Sequence, residues 1–466
     1  MTGGWLMQSQ KIGIRTVQPI FRTFWLIGSA VLYLVLAYIV PRTQFGLLIG
    51  LLAGLFLGYA FVVSSSARRH DEGTVDRFLF GSAILFHLLL LFTMPHLSDD
   101  VYRFVWDGRL LAHGYDPYLY LPNQLLNTPI AAVCGLDQSL FRQLKSPNYF
   151  TVYPPVNQAL FGLAGWLSGG NLLWNVVWLR VPIVLAEIGS LWLMAKLLRR
   201  LGKSPNLALL YGLNPLVILE LTGNLHFEAV MIFFALLAAW LLKEERWATS
   251  AGALALSIGI KLLPLLLLPL IVSRLDWRKG IGYAVLTGML TAAMFTPFAS
   301  LELVRNVASS LNLYFQKFEF NASVYYILRA IGYWIKGYNA IERIGFWLSV
   351  TTTLSVLWIA FRWRTVPVST QLVATLTIYF TFATTVHAWY ITTLIAASVF
   401  TRFRYPLVWS ALIPLSYFTY QTQPYRENLW LTAVEYGIVA IVMIVEIRAY
   451  RKHTEKAIGL PTNSFS

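Results

Sequence analysis

Apolar runs of nearly bilayer-crossing length alternate with short charged connections along almost the whole chain. A helix crosses a hydrocarbon core in about 20 residues. Runs near that length fall at 24–41, 45–63, 78–95, 173–198, 207–222, 226–242, 280–298, 344–361, 368–386, 388–401, 406–421 and 430–450. They predict an all-α polytopic bundle of about twelve transmembrane helices forming one integral membrane domain over residues 1–466. Two stretches break the rhythm. Lys261 and Pro264 interrupt the apolar run 250–272, and proline removes a backbone donor, so this stretch reads as a two-legged re-entrant hairpin. Residues 323–338 read as lying along the interface.

The loop 96–155 carries the most information. Pro95 ends one helix, and Ser98 can N-cap another with Asp99 and Asp100 in its first turn, where carboxylates meet the positive dipole end. Val101, Phe104, Val105, Leu111 and Ala112 follow helical spacing, while Asp99, Arg103 and Asp107 share the opposite stripe. This pattern predicts an amphipathic helix over about 98–113, flat on the membrane surface. Gly114 closes it and Asp116-Pro117 starts a turn. An aromatic-rich segment then ends in Tyr153-Pro154-Pro155, and a second interfacial helix follows over about 156–169.

Composition agrees: 57% of residues are hydrophobic and only 12% charged, far below the roughly 25% of soluble domains. A net charge of +15 would suggest nucleic acid in a soluble protein. Here the excess sits in short connections, where it reports orientation through the positive-inside rule. Clusters at Lys11/Arg15/Arg22, Arg68/Arg69/Arg77, Arg199/Arg200/Lys203, Lys243/Arg246, Arg274/Arg278/Lys279, Arg362/Arg364, Arg402/Arg404 and Arg448/Arg451/Lys452 mark the cytoplasmic side. Outside then lie 96–155, 223–226, 299–322, 387–389 and 421–428, with His96, His113, His226 and His387 among them. Residues 1–22 are polar, and the apolar run after them is too long for a cleavable signal. The lone Cys134 excludes an internal disulfide and offers no zinc cluster.

Two acids in tandem at the mouth of a membrane helix, heading a long polar loop, point to a reaction site at Asp99 and Asp100. Lys261 lies inside an apolar hairpin, where a charge is costly and marks function. Arg103 with Asp107 reads equally as a surface ion pair worth little, and Trp106 and the loop tyrosines read as interfacial belt residues. A secondary transporter is the rival class, but no paired internal repeat with matched broken helices is visible.

Taken in order, Ser98-Asp99-Asp100-Val101-Tyr102-Arg103 with Trp106-Asp107-Gly108-Arg109, Tyr153-Pro154-Pro155, Asn214-Pro215-Leu216, Asn224-x-His226-x-Glu228, Gly259-Ile260-Lys261 and His387-Ala388-Trp389-Tyr390 resemble the GT-C superfamily of membrane glycosyltransferases. The closer resemblance is to the bacterial polyprenyl-phosphomannose-dependent mannosyltransferases of the MptA/MptB group, over roughly residues 78–400. One position departs: the family's late element more often reads His-Pro-Trp-Tyr, and Ala388 stands for the proline here. The resemblance implies inverting transfer of a hexose, mannose above others, from a polyprenyl-phosphate donor to an envelope glycan or glycolipid acceptor. It places the reaction on the outer face of the bacterial inner membrane, without cofactor or metal. Asp99 is expected as general base with Asp100 close behind it. Lys261, Arg109, His387 and Arg426 are expected at the phosphate, and His226 and Glu228 at the sugar or acceptor. Arg103, Asp107, Tyr153 and Trp389 complete the expected substrate-binding set.

Overall fold

The structure, a computed structural model, describes residues 19–67 and 74–458. Lys11, Arg15, Arg68 and Arg69, expected among the cytoplasmic clusters, lie outside the described residues. Within them the chain is all α, and the one pairing of extended backbone is a bridge between Phe320 and Thr385. Helices α1 (Pro19–Tyr38), α2 (Phe45–Ala67) and α3 (Arg77–Leu89) lead to the first large loop. That loop holds α4 (Asp100–Ala112) and gives way to α5 (Pro155–Leu167). Then come α6 (Leu172–Arg200), a bent pair Pro205–Gly212 and Val217–Gly223, α7 (Glu228–Lys243), α8 (Trp247–Ile260), α9 (Leu267–Val272) and α10 (Trp277–Met294). The remainder comprises α11 (Leu301–Lys317), α12 (Val324–Lys336), α13 (Ile341–Arg362), α14 (Val368–Phe382), α15 (Ile391–Ser398), α16 (Tyr405–Leu412) and α17 (Leu429–Ile458).

Among the described residues five helices are long and apolar enough to cross a membrane, six if the pair bent by 63° counts as one span. The remaining expected spans are shorter or more polar helices, so length alone does not reach about twelve. The apolar runs continue through breaks at Asn224, Lys261 and His387, and it is at those breaks that the polar groups gather. α12 is 13 residues long and leaves Ile327, Trp334 and Ile335 exposed, as an interfacial helix would.

Polar contacts sort the connections onto two ends. At the basic end Arg22 pairs with Asp76 at 2.8 Å, and the Asp76 backbone N–H donates to Asn206 Oδ1. There too Arg274 donates to the Val366 carbonyl, and the Arg404 N–H donates to Glu446. At the loop end Asn224 Oδ1 accepts from the Leu97 N–H, Asn306 donates to the Tyr118 carbonyl and Glu427 accepts from the Asn321 N–H at 2.7 Å. The stretch 247–272 has both feet at the basic end and its apex, Lys261, at the loop end, as the hairpin reading requires.

α4 departs from expectation. The polar stripe that was to face water is covered: Arg103 and Asp107 are buried and Trp106 is fully buried beside Phe141. The cause is the following segment, which folds back as short turns at 117–119, 122–125, 129–133 and 138–143. It offers Arg103 the carbonyls of Ser146 and Tyr149 at 3.2 and 2.8 Å. On its other side α4 presses on α5 so closely that a Cβ at Gly108 would lie 2.3 Å from the Phe161 carbonyl oxygen. Gly114 takes φ +81 after the helix and Asp116 caps the Tyr118 N–H, both as the sequence reads.

Candidate active site

The tandem acids point to different neighbours. Asp99 is the N-cap residue of α4, but its carboxylate caps nothing. It pairs instead with Arg42 at 3.0 Å and Lys145 at 3.8 Å. Asp100, one residue on, shares its field with His226, Lys261 and Glu228. Burial holds the Asp100 carboxyl above the usual carboxylate range, with His226 and Lys261 partly offsetting it.

Each of those partners is set by local backbone. The turn before α7 is held from below by Arg180 of α6, which donates to the carbonyls of Thr222 (2.7 Å), Gly223 (3.1 Å) and Leu91 (2.7 Å). These include carbonyls that a helix end leaves without partners. Leu225, fully buried, adopts φ +62, a left-handed conformation costing a branched residue about 1–3 kcal/mol. The twist delivers His226 into the centre and starts α7 with Glu228. Glu228 forms an ion pair with Lys261, whose backbone is extended at the break after α8. Asn157 of α5 donates to the Ile260 carbonyl at 3.0 Å and fixes that break.

The late element completes the centre. The Phe320–Thr385 bridge, with Val386 N–H donating to the Phe320 carbonyl at 2.8 Å, brings the 383–390 segment to the loop end. His387 stacks on Phe320 (4.9 Å) and on Trp389 (4.3 Å), and Trp389 stacks on His226 (3.8 Å, 14°). Tyr390 lies 5.5 Å from Lys261 Nζ. Burial lowers His226 to about 4 and His387 to about 3, so both imidazoles are neutral near pH 7. His226 Nε2 lies 3.3 Å from Glu220 Oε2, while Glu228 Oε2 and His387 Nδ1 are buried without a hydrogen-bond partner in the protein. Buried polar atoms are rarely left so, and these suit a ligand rich in hydroxyls. Among the described residues no three His, Cys, Asp or Glu side chains converge as a metal cage.

The structure therefore gathers Asp100, His226, Glu228, Lys261, His387 and Trp389, with Asp99 at the edge. It does not gather the rest. Arg103 and Asp107 form a buried strut at 2.8 Å, with Gln158 donating to Asp107. Arg109 donates to the Gly170 carbonyl at 2.7 Å and lines a separate cleft of about 710 Å³ with His113, Asp137 and Trp166. Tyr153 packs on Phe104 and Phe161 at 5.0 and 5.5 Å, and Arg426 is exposed on its loop. Sequence reading missed Arg42, Lys145 and Phe320. Arg42 did carry a signal, being an arginine in a loop on the end otherwise poor in basic clusters.

The fold and the site define an all-α membrane protein with an acid–imidazole–ammonium centre at the loop end of its bundle. Residues 21–275 match the family described as alpha-(1->6)-mannopyranosyltransferase, N-terminal domain; with more than half of the chain matched, the protein belongs to that family. Among curated relatives, alpha-(1->6)-mannopyranosyltransferase A of Corynebacterium glutamicum is 25% identical over 212 residues, 45% of this chain and 41% of the relative. Alpha-(1->6)-mannopyranosyltransferase B of the same organism is 25% identical over 279 residues, 58% of this chain and 43% of the relative. Alpha-(1->6)-mannopyranosyltransferase A of Mycobacterium tuberculosis is 26% identical over 271 residues, 56% and 47% of the two chains. Each match spans less than half of the relative's own length.

Proposed function

We propose that the protein is a mannosyltransferase that moves mannose from a polyprenyl-phosphate donor to a glycan or glycolipid acceptor at the outer face of the cell membrane. Asp100 is the general base and takes the proton of the acceptor hydroxyl as its oxygen attacks the anomeric carbon. The observation that carries this reading is a carboxylate beside two neutral imidazoles and an ammonium, with hydrogen-bonding atoms left open around it. The Lys261 ammonium draws the Asp100 carboxyl back toward its ionised, basic form against burial. Glu228, Lys261, His226 and His387 hold the sugar's hydroxyls, and Trp389 orients the two imidazoles. Asp99, bound to two cations, serves the donor side. The names of the relatives support mannose and a 1→6 linkage for the bond formed.

The test is transfer by the purified full chain, using labelled mannosyl polyprenyl phosphate and an envelope extract as acceptor. Asp100→Asn should lose about 10²–10⁴-fold in turnover with an unchanged size-exclusion profile, while Asp99→Asn should keep most of its turnover and change chiefly the KM for donor. Equal turnover by wild type and Asp100→Asn would refute Asp100 as base. Transfer absent in wild type with every polyprenyl-phosphate sugar tried would refute the activity.

A further inference from the structure

The proposed transfer leaves the leaving phosphate without a partner. Lys261 is already committed to Glu228 and to the field around Asp100. Inverting displacement brings the hydroxyl and its base to one face of the anomeric carbon while the phosphate departs from the other. A cation beside the base is therefore badly placed for the phosphate.

A second group of cations lies one residue away. Arg42, in the turn between α1 and α2, pairs with Asp99, donates to the Tyr425 hydroxyl at 3.1 Å and lies over the Tyr420 ring at 5.1 Å. Lys145 reaches the same carboxylate at 3.8 Å with its side chain 56% exposed. His96, also exposed, lies near Arg42; partial desolvation first and then the Arg42 charge disfavour its protonation. Two full cations thus share one carboxylate, which leaves the group net positive, with His96 beside Arg42.

Beneath it runs a narrow apolar crevice, about 20 Å³ as it stands. It is lined by Leu36, Leu48 and Leu52 of the first two helices, with His96 and Asn224 at its polar end. Asn224 is two residues from His226, so the crevice opens beside the reaction centre. An anionic group presented at a membrane boundary matches this cluster of cations.

We infer that Arg42, Lys145 and His96 form the subsite that receives the phosphate of the polyprenyl-phosphate donor, with Asp99 as the resident counter-ion that the phosphate displaces. The inference rests on the transferase reading. In the reaction the acceptor oxygen forms its bond to the anomeric carbon and the bond from that carbon to the phosphate oxygen breaks. The electron pair goes to polyprenyl phosphate, which Arg42 and Lys145 stabilise, and the acceptor proton goes to Asp100.

The test measures binding of sugar-free polyprenyl phosphate to the full chain in detergent by native mass spectrometry. Arg42→Ala should weaken binding about tenfold, the worth of one charge-assisted hydrogen bond, with Lys145→Ala weakening it less. Arg42→Lys should restore part of the loss, which separates charge from misfolding. Retention of the lipid against millimolar inorganic phosphate and against excess phosphatidylglycerol supports a site for this lipid, while displacement by either overturns it. Weakening by Lys261→Ala, with none by Arg42→Ala or Lys145→Ala, also overturns the subsite. Lipid bound through Arg42 by a protein that transfers no sugar would refute the transferase and leave the subsite standing. Transfer with unchanged donor KM in Arg42→Ala and Lys145→Ala would do the reverse.

Discussion

Asp100 and its histidines respond to acid in opposite senses, which makes pH a sharp probe. A base acts only when ionised, and burial holds Asp100 above the usual carboxylate range. Acidification should therefore reduce kcat/KM at a higher pH than an exposed aspartate would give, and a pH–rate profile reads this directly. The loss is not unfolding through Asp100. A carboxyl raised in the fold stabilises most at low pH and gives that up as pH rises through its folded value. His226 and His387 run the other way, being lowered to about 4 and 3. Their contribution is complete above the unfolded value near 6.5 and fades as pH falls toward those values. The histidines' share of stability should thus be lost below pH 6.5, and with an aromatic replacement such as His387→Phe the melting temperature should fall less on acidification than in wild type. Glu228→Gln leaves the partly buried Lys261 ammonium without its carboxylate and should cost about 1–3 kcal/mol. Adding Lys261→Met should recover stability in denaturation but not transfer, so the double mutant separates folding from chemistry.

Among elements, the contact of α4 with α5 is the least forgiving. Gly108 and Gly165 meet across it, and a Cβ at Gly165 would lie 2.6 Å from the Gly108 carbonyl oxygen. Gly108→Ala should force the helices apart, cost about 1–3 kcal/mol as overpacking does, and slow turnover by moving Asp100; thermal unfolding and single-turnover rates check both. This element was half legible in the sequence. Apolar spacing gave α4 its length, and Gly114 and Asp116 gave its end. The burial of Arg103, Asp107 and Trp106 was not legible, because it depends on carbonyls supplied by residues 146–149, which no periodicity announces. Asp99 and Asp100 could not be ranked for a related reason: adjacent acids look alike in a string, and only the approach of Arg42 and Lys145 from distant loops tells them apart. Lys261, Glu228, His226 and His387 were legible singly, since charge or imidazole inside apolar sequence stands out. Their convergence rests on the strained Leu225 turn and the Phe320 bridge, neither of which has a sequence signature.

For the whole molecule, contacts such as Arg22–Asp76 and Asn224–Leu97 group the described connections into two ends, as the charge pattern does. Sidedness is then testable with little perturbation, because Cys134 is the single cysteine. In a Cys134→Ser background, Ser139→Cys should react with an impermeant maleimide added to intact spheroplasts, and Arg402→Cys only after the membrane is opened. The reverse result would turn the protein over. The hairpin with Lys261 at its apex has a further consequence, for how the chain is made. Its first leg, α8, is 14 residues long, ~21 Å at 1.5 Å per residue, too short to be handed into the bilayer as a segment in its own right. It can settle only against α7 and α10 once both have been inserted, and its lysine finds Glu228 only then. The nascent protein therefore pairs Lys261 with Glu228 only after α10 has entered the membrane, and a fragment released before that point lacks the pair.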